Sequence, residues 1–424
     1  MLPLSIYLIT FNSGRELVDI EAFAAGLFKG HSDALPDLVS VSLQEIAPIA
    51  QSFLAHGHLQ PYFAKVVEAV NRAAKPGTKY HEIKRHNAGM TALLLLAKSE
   101  VLERVGDVEI ADVGVGNYEL GNKGAAGIRI VYNHGESDEQ TPLTFVSAHL
   151  APMEDAVERR NRDWSNIVRG LVFHHQSMTG EGSAGKDEAQ PLLHEDTAFS
   201  TSVGTSSSGI FNGYPLFICG DLNYRTSDTA PGPDDHKRFP QPVDDETDGK
   251  HYSHLLKHEQ LSRELHAGRT LHHLTEAPID FPPTYKYNLD KYQQTPSEEP
   301  YVWHWAKHRY PSWCDRILFS SYLSNKSLKV KGYNCLPLQP TSDHRPVALS
   351  IELDLSKAHA DGEDAYRSPF SLNTRWREQR TAARRKEVAV GAGAYVGLTK
   401  EGRTLAIGTI LGAVGVWLLV RSIF

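Results

Sequence analysis

Pro311-Ser312-Trp313-Cys314-Asp315-Arg316-Ile317-Leu318 joins a buried-strand pattern to a carboxylate and a guanidinium that have no evident packing duty. Ile317, Leu318 and Phe319 want a core, whereas Asp315 and Arg316 would be costly to bury beside them unless each found a partner. The stretch reads as a strand end opening into a polar site, and the rest of the chain must supply the partners.

Short runs rich in Val, Ile and Leu recur at Leu4–Thr10, Leu38–Leu43, Thr91–Ala97, Ala125–Val131, Leu143–Ser147, Pro215–Cys219, Asp315–Phe319 and Val347–Leu353. Helical patterns fall between several of them, at Glu16–Phe28, Pro61–Ala74, Glu154–His174 and His251–Ala267. Strands mixed with helices along the whole length predict an α/β sandwich: two central sheets covered by helices, with chemistry on the loops at strand ends.

The 424 residues are 41% hydrophobic, ample for a packed core. Cys219, Cys314 and Cys335 form no C-x-x-C pair, which suits a reducing compartment and excludes a cysteine-built zinc site. The formal charge of −7 is uneven: from Arg375 onward nine Lys and Arg face three Glu, a net +6, so residues 1–374 carry −13. So acidic a body is a poor non-specific nucleic-acid binder, because such binding draws on phosphate neutralisation by a basic face.

Met1–Ile9 lacks the basic flank and cleavage site of a signal peptide and is expected to be a first strand. Thr404–Val420 runs without a charge and is expected to be a C-terminal transmembrane anchor. Residues 176–210, rich in Ser, Gly and Thr, read as a flexible insertion in a domain spanning 1–355, and residues 356–403 as a basic linker to the anchor.

Four polar clusters follow or precede strand-like runs and are placed to converge: Thr10-Phe11-Asn12, Leu43-Gln44-Glu45, Gly220–Arg225 and Thr341–Pro346. An acidic residue ending one strand is more often a turn or cap than a ligand; their conjunction points to a site. Mg²⁺ takes a few oxygen ligands and keeps several waters, and Glu45 with Asn12 offers a carboxylate and an amide carbonyl.

PSWCDRIL at 311–318, GDLNYR at 220–225, SDHRPV at 342–347, GNKGAAGIR at 121–129, SLQE at 42–45 and PTYKY at 283–287 together resemble the inositol polyphosphate 5-phosphatases. The resemblance covers roughly residues 4–353 in the family's motif order. It implies a DNase I-like fold, a four-layer α/β sandwich with two central mixed sheets flanked by helices. It further implies that Glu45 with Asn12 holds Mg²⁺ against a 5-phosphate, while Asp221 and Asn223 orient and deprotonate the attacking water. His344 would contact phosphoryl oxygens with its tautomer fixed by Asp315, and Asp343 and His149 would complete the phosphate and metal shell.

Asn122 and Lys123, Tyr285 and Lys286, and Lys307 with Arg309 are the positions that, by the same resemblance, cradle a neighbouring 4-phosphate, so a 4,5-bisphosphate headgroup is implied. Arg316 and Arg225 are expected to be structural ion-pair partners. The segment Gly114–Leu120 is more polar than the apolar loop that many relatives press into lipid, which leaves membrane contact to the tail. One phosphatase domain with a C-terminal anchor resembles the fungal endoplasmic-reticulum 5-phosphatases. The expectation is a monomeric, tail-anchored enzyme facing the cytosol that acts on phosphatidylinositol 4,5-bisphosphate; the alternatives are a nuclease of the same superfamily or a silent phosphoinositide-binding tether.

Overall fold

The computed structural model describes residues 3–29, 34–54, 56–134, 139–175, 208–291, 302–324, 326–362 and 365–423. The expected insertion at 176–210 lies almost wholly outside them. Two sheets face each other. In spatial order the first takes β12 (Leu328–Cys335), β13 (Val347–Leu353), β1 (Leu4–Asn12), β2 (Leu38–Gln44), β4 (Thr91–Lys98) and β3 (Tyr80–Ala88). The second takes β10 (Leu274–Glu276), β11 (Asp315–Ser320), β9 (Leu216–Asp221), β7 (Gln140–His149), β6 (Gly124–Asn133), β5 (Val105–Gly114) and β8 (His174–His175). Both are mixed: β1–β2 and β7–β9 pair parallel, their other neighbours antiparallel.

Period-2 alternation divides each strand between two cores. Leu4, Ile6 and Leu8 of β1 enter the layer between the sheets with Phe145, Phe217 and Ile317, whereas Tyr7, Ile9 and Phe11 point to the outer face. There α1 (Ile20–Gly26) and α3 (Gln60–Ala73) cover them; Phe63, Val66 and Val70 recur at helical spacing on the buried side of α3. The other outer face is closed by α5 (Val157–Gly170) through Trp164, Ile167 and Val168, and by α7 (Gln260–His266) through Leu261. The result is the expected helix–sheet–sheet–helix sandwich. One-turn helices α2 (Ile49–Ser52), α4 (Ser99–Leu102) and α6 (Ser253–Leu256) sit in its connections.

Two expectations change. The helix expected over His251–Ala267 is broken, because Glu259 leaves helical geometry and turns its carboxylate onto the Leu261 and Ser262 amides as the cap of α7. The linker expected over 356–403 contains a 23-residue helix, α8 (Trp376–Leu398), which lies against the domain with Ala383, Glu387 and Gly391 buried. Its arginines are correspondingly engaged: Arg380 with Asp112 and Glu387, Arg384 with Glu387 and the carbonyls of Phe53 and Leu54. After Thr399 the chain continues as α9 (Lys400–Ile423), and its stretch Lys400–Arg421 is long and apolar enough to cross a membrane, with none of its most apolar window buried in the protein.

Candidate active site

Register collects the motif residues. In the second sheet Gly124 pairs with His149, His149 with Asp221, and Asp221 with Asp315, so four adjacent strands end in one row. In the first sheet Asn12 pairs with Gln44, and Glu45 follows immediately. The row and the pair meet: Asn12 Nδ2 donates to Asp221 Oδ2 across 2.9 Å.

Asp221 is the centre. Its Oδ2 also lies 3.2 Å from His149 Nε2 and 4.0 Å from His344 Nε2, while Oδ1 accepts the Asn223 amide at 3.1 Å. Asn223 reaches that position with φ +57°, a left-handed conformation that asparagine tolerates better than most residues. Burial alone would raise the Asp221 carboxyl, but His149, His344 and Lys123 overcome it and hold the group well below the usual carboxylate range.

On one flank stands a histidine–carboxylate pair. His344 Nδ1 is 2.9 Å from Asp315 Oδ2, which also accepts from Thr284 Oγ1 at 2.7 Å. Although burial opposes it, Asp315, Asp221 and Asp343 raise His344 to about 9, so the ring is an imidazolium near neutrality with Nε2–H turned to the Asp221 and Asp343 side. The Tyr285 ring lies 4.4 Å from that of His344, and Arg225 sits 4.6 Å above Tyr285 on its way to Asn223 Oδ1. Lys286 pairs with Asp343 Oδ2.

The other flank is built on Lys123. Its Nζ is 2.6 Å from His149 Nε2 and 3.6 Å from Glu45 Oε1, and Arg15 Nε holds Glu45 Oε2 at 2.7 Å. Burial and the Lys123 charge push His149 below its ordinary value, against the opposing pull of Asp221 and Glu45. Burial would raise Glu45, yet His149, Lys123 and Arg15 hold it down as a carboxylate. Glu45 itself has φ +47°.

The expected residues are thus brought together unequally. Asn12, Glu45, Asp221, Asn223, His149, Asp315, His344, Lys123, Tyr285, Lys286 and Asp343 share one end of the sandwich. Among them Asp343 is paired with Lys286. Asn122 stands in the same turn as Lys123, but its Oδ1 is closed off from solvent without a hydrogen-bond partner among the described residues. Lys307 is exposed, one residue beyond the Ala306 amide that bonds the Lys286 carbonyl. Arg309 is half-buried, 3.6 Å from Glu154 Oε2 and also in contact with Met153 Sδ.

Arg316 is structural, as expected: fully buried, it bridges Glu259 and Glu276. Arg225 departs from expectation: among the described residues it touches Asn223 and Tyr285 and makes no salt bridge to an acid. Arg15, Thr284 and Ser342, whose hydroxyl binds the Asn12 carbonyl and the His344 amide, were not singled out by sequence. Ser342 and Thr284 lie inside the SDHRPV and PTYKY motifs, their only sequence signal, and Arg15 lies in none of the quoted motifs.

The oxygen-rich part of the set fits a hard divalent cation. Glu45 stays ionised, and the Asn12 Oδ1, which accepts the Gly14 amide at 3.1 Å, keeps a second lone pair. Asp221, Asp315 and His344 also lie close enough to hold an ion. There, however, Nδ1 is taken up by Asp315, the arrangement of an oriented imidazole. Both buried thiols are inert, since burial pushes Cys219 up to about 12 and Cys314 well above its ordinary value.

Fold and site together define a DNase I-like α/β sandwich with an acidic, histidine-bearing centre where its two sheets meet. The chain belongs to the Endonuclease/Exonuclease/phosphatase family 2, whose model matches residues 9–350. It is 28% identical over 339 residues to the type II inositol 1,4,5-trisphosphate 5-phosphatase of Mus musculus, covering 80% of this chain and 28% of that protein. To inositol-1,4,5-trisphosphate 5-phosphatase 1 of Schizosaccharomyces pombe it is 27% identical over 328 residues, 76% of this chain and 25% of the other. The chain thus spans little more than a quarter of these relatives' length. Its fold is that of the inositol polyphosphate 5-phosphatase domain of SPsynaptojanin, solved with inositol (1,4)-bisphosphate and a calcium ion: TM-score 0.60, 24% identity, 92% of this chain and 93% of that one.

Proposed function

We propose that the protein is a phosphatase that hydrolyses the 5-phosphate of phosphatidylinositol 4,5-bisphosphate, giving phosphatidylinositol 4-phosphate, with Mg²⁺ as cofactor. The observation that carries this reading is the row formed by His149, Asp221 and Asp315, flanked by Lys123 on one side and by His344, Tyr285 and Lys286 on the other. The names of the relatives support the substrate class.

Hydrolysing a phosphomonoester by in-line attack asks for charge neutralisation and positioning more than for covalent help. Glu45 and Asn12 would hold the Mg²⁺, with Asp343 completing the shell around metal and phosphate. When bound, the ion supplies Lewis-acid polarisation and charge neutralisation at a phosphoryl oxygen. Asp221, held ionised by its neighbours, would with Asn223 orient the attacking water and take its proton as the water oxygen bonds to phosphorus, while the bond from phosphorus to the inositol 5-oxygen breaks and that oxygen leaves with a proton from solvent. His344, protonated and fixed by Asp315, donates Nε2–H to a phosphoryl oxygen. Lys123 and His149 line the same centre, while Tyr285 and Lys286, with Lys307 and Arg309, would cradle a neighbouring 4-phosphate.

Membrane attachment belongs to the same proposal. Lys400–Arg421 would span the endoplasmic-reticulum bilayer once, holding a monomeric catalytic domain on the cytosolic side next to its lipid substrate at high effective concentration. Asp221→Ala tests the chemistry: phosphate release from 4,5-bisphosphate vesicles should be lost while vesicle binding persists. Undiminished turnover in that variant would remove Asp221 from the mechanism.

A further inference from the structure

The juxtamembrane helix α8 places one buried carboxylate where solubility and anchoring give no reason for it. Glu387 is fully buried, and its oxygens accept from Arg380 Nη1 at 3.0 Å, from Arg384 Nη1 at 3.2 Å and from the Gly121 backbone amide at 3.0 Å. Burying a charge at a helix–domain contact is expensive unless its acceptors are filled, and here two guanidiniums and an amide fill them. Arg384 also ties the helix to the Phe53 and Leu54 carbonyls at 3.1 and 2.8 Å.

What Glu387 holds is a crossing of two active-site segments. Gly121 immediately precedes the Asn122–Lys123 turn. Its carbonyl accepts from the Met90 amide at 2.8 Å, and the Met90 carbonyl accepts from the Ile46 amide at 3.2 Å, next to Glu45. The backbones touch: a Cβ on Gly89, where φ is +55°, would lie 2.4 Å from the Gly121 carbonyl oxygen. The hydrogen bonds from α8 therefore run to Gly121, two residues before Lys123, and on to Ile46, the residue after Glu45, and so reach the chain on both sides of the 3.6 Å contact described above.

We propose that Glu387 is a positioning residue of the active centre: by holding the Gly121 amide it fixes the crossing that sets Lys123 against Glu45 and His149, making α8 part of the catalytic apparatus. This rests on the reading of that centre as a phosphatase site. The full chain in detergent micelles, given a soluble inositol phosphate with vicinal 4- and 5-phosphates, tests it. Glu387→Ala should lower kcat about tenfold or more, the usual scale for a residue acting through a ligand, and should speed hydrogen exchange of the Gly121 amide. Glu387→Gln keeps an oxygen for that amide and should recover most of both.

Gly391→Ala gives an independent arm, because its methyl would meet Phe53 Cβ at 2.8 Å and displace the helix without removing a charge. It should slow turnover and loosen the Gly121 amide in the same sense, and it decides the question if Glu387→Ala does not fold. Wild-type kcat and exchange in Glu387→Ala or Gly391→Ala, whatever their melting points, would overturn the proposal, as would equal losses in the Ala and Gln variants. A wild-type chain that releases no phosphate would instead sink the phosphatase reading, and the exchange measurements would still decide whether Glu387 holds the turn.

Discussion

His344 and Asp315 show how much a single pair asks of its surroundings. The carboxylate decides which nitrogen carries the proton and keeps the ring charged, so Asp315→Asn should lower kcat by about 10²-fold or more with a smaller change in KM. Wild-type kcat in that variant would contradict the assignment. The pair also predicts a pH dependence of stability. His344 rises from 6.5 to about 9 on folding, so its contribution is fully present below about 6.5 and is lost as the pH climbs through about 9. With divalent cations chelated, the stability difference between wild type and His344→Asn in urea should shrink by about 2–3 kcal/mol across that window; a constant difference would refute it. Asp315, His344 and Asp221 were legible because each lies in a short motif. What Arg225 and Arg15 touch was not, although Arg225 ends the GDLNYR motif, since their contacts to Tyr285 and Glu45 form only where separate segments meet.

Among elements, β11 is held by the residue that looked least at home in it. Arg316 joins β11 to β10 through Glu276 and to the α7 cap through Glu259, with all three side chains nearly or fully buried. Arg316→Ala would leave two carboxylates buried without a counter-charge, and urea denaturation should show a loss of about 3–5 kcal/mol. A loss below about 1 kcal/mol would mean that solvent reaches the cluster. The central strands were legible because both faces are buried and their sequences are continuous apolar runs. Strands β3 and β12 escaped because each forms an edge with a half-exposed face, so Lys, Arg and Glu interrupt the pattern. For α8, Arg380 and Arg384, part of the basic run that suggested a solvated linker, bind the domain.

At the scale of the whole molecule, the two terminal helices do different work. From Ile407 to Arg421 α9 is exposed, whereas α8 reaches the Lys123 turn. Removing residues 400–424 should therefore release the protein into the soluble fraction while its turnover of soluble inositol phosphates persists. A truncated chain that still resists carbonate extraction would contradict the anchor. The sandwich itself was readable from alternation and motif order. The docking of α8 was not, because it depends on Glu387 finding the amide of Gly121, 266 residues away in sequence.

The most direct test of the central claim is the position of the phosphate removed. Full-length protein should convert phosphatidylinositol 4,5-bisphosphate in vesicles to the 4-phosphate when Mg²⁺ is added, stall when it is chelated, and leave phosphatidylinositol 4-phosphate untouched. Release of the 4-phosphate, or equal turnover of both lipids, would contradict the assignment of the Asp221 centre to the 5-position.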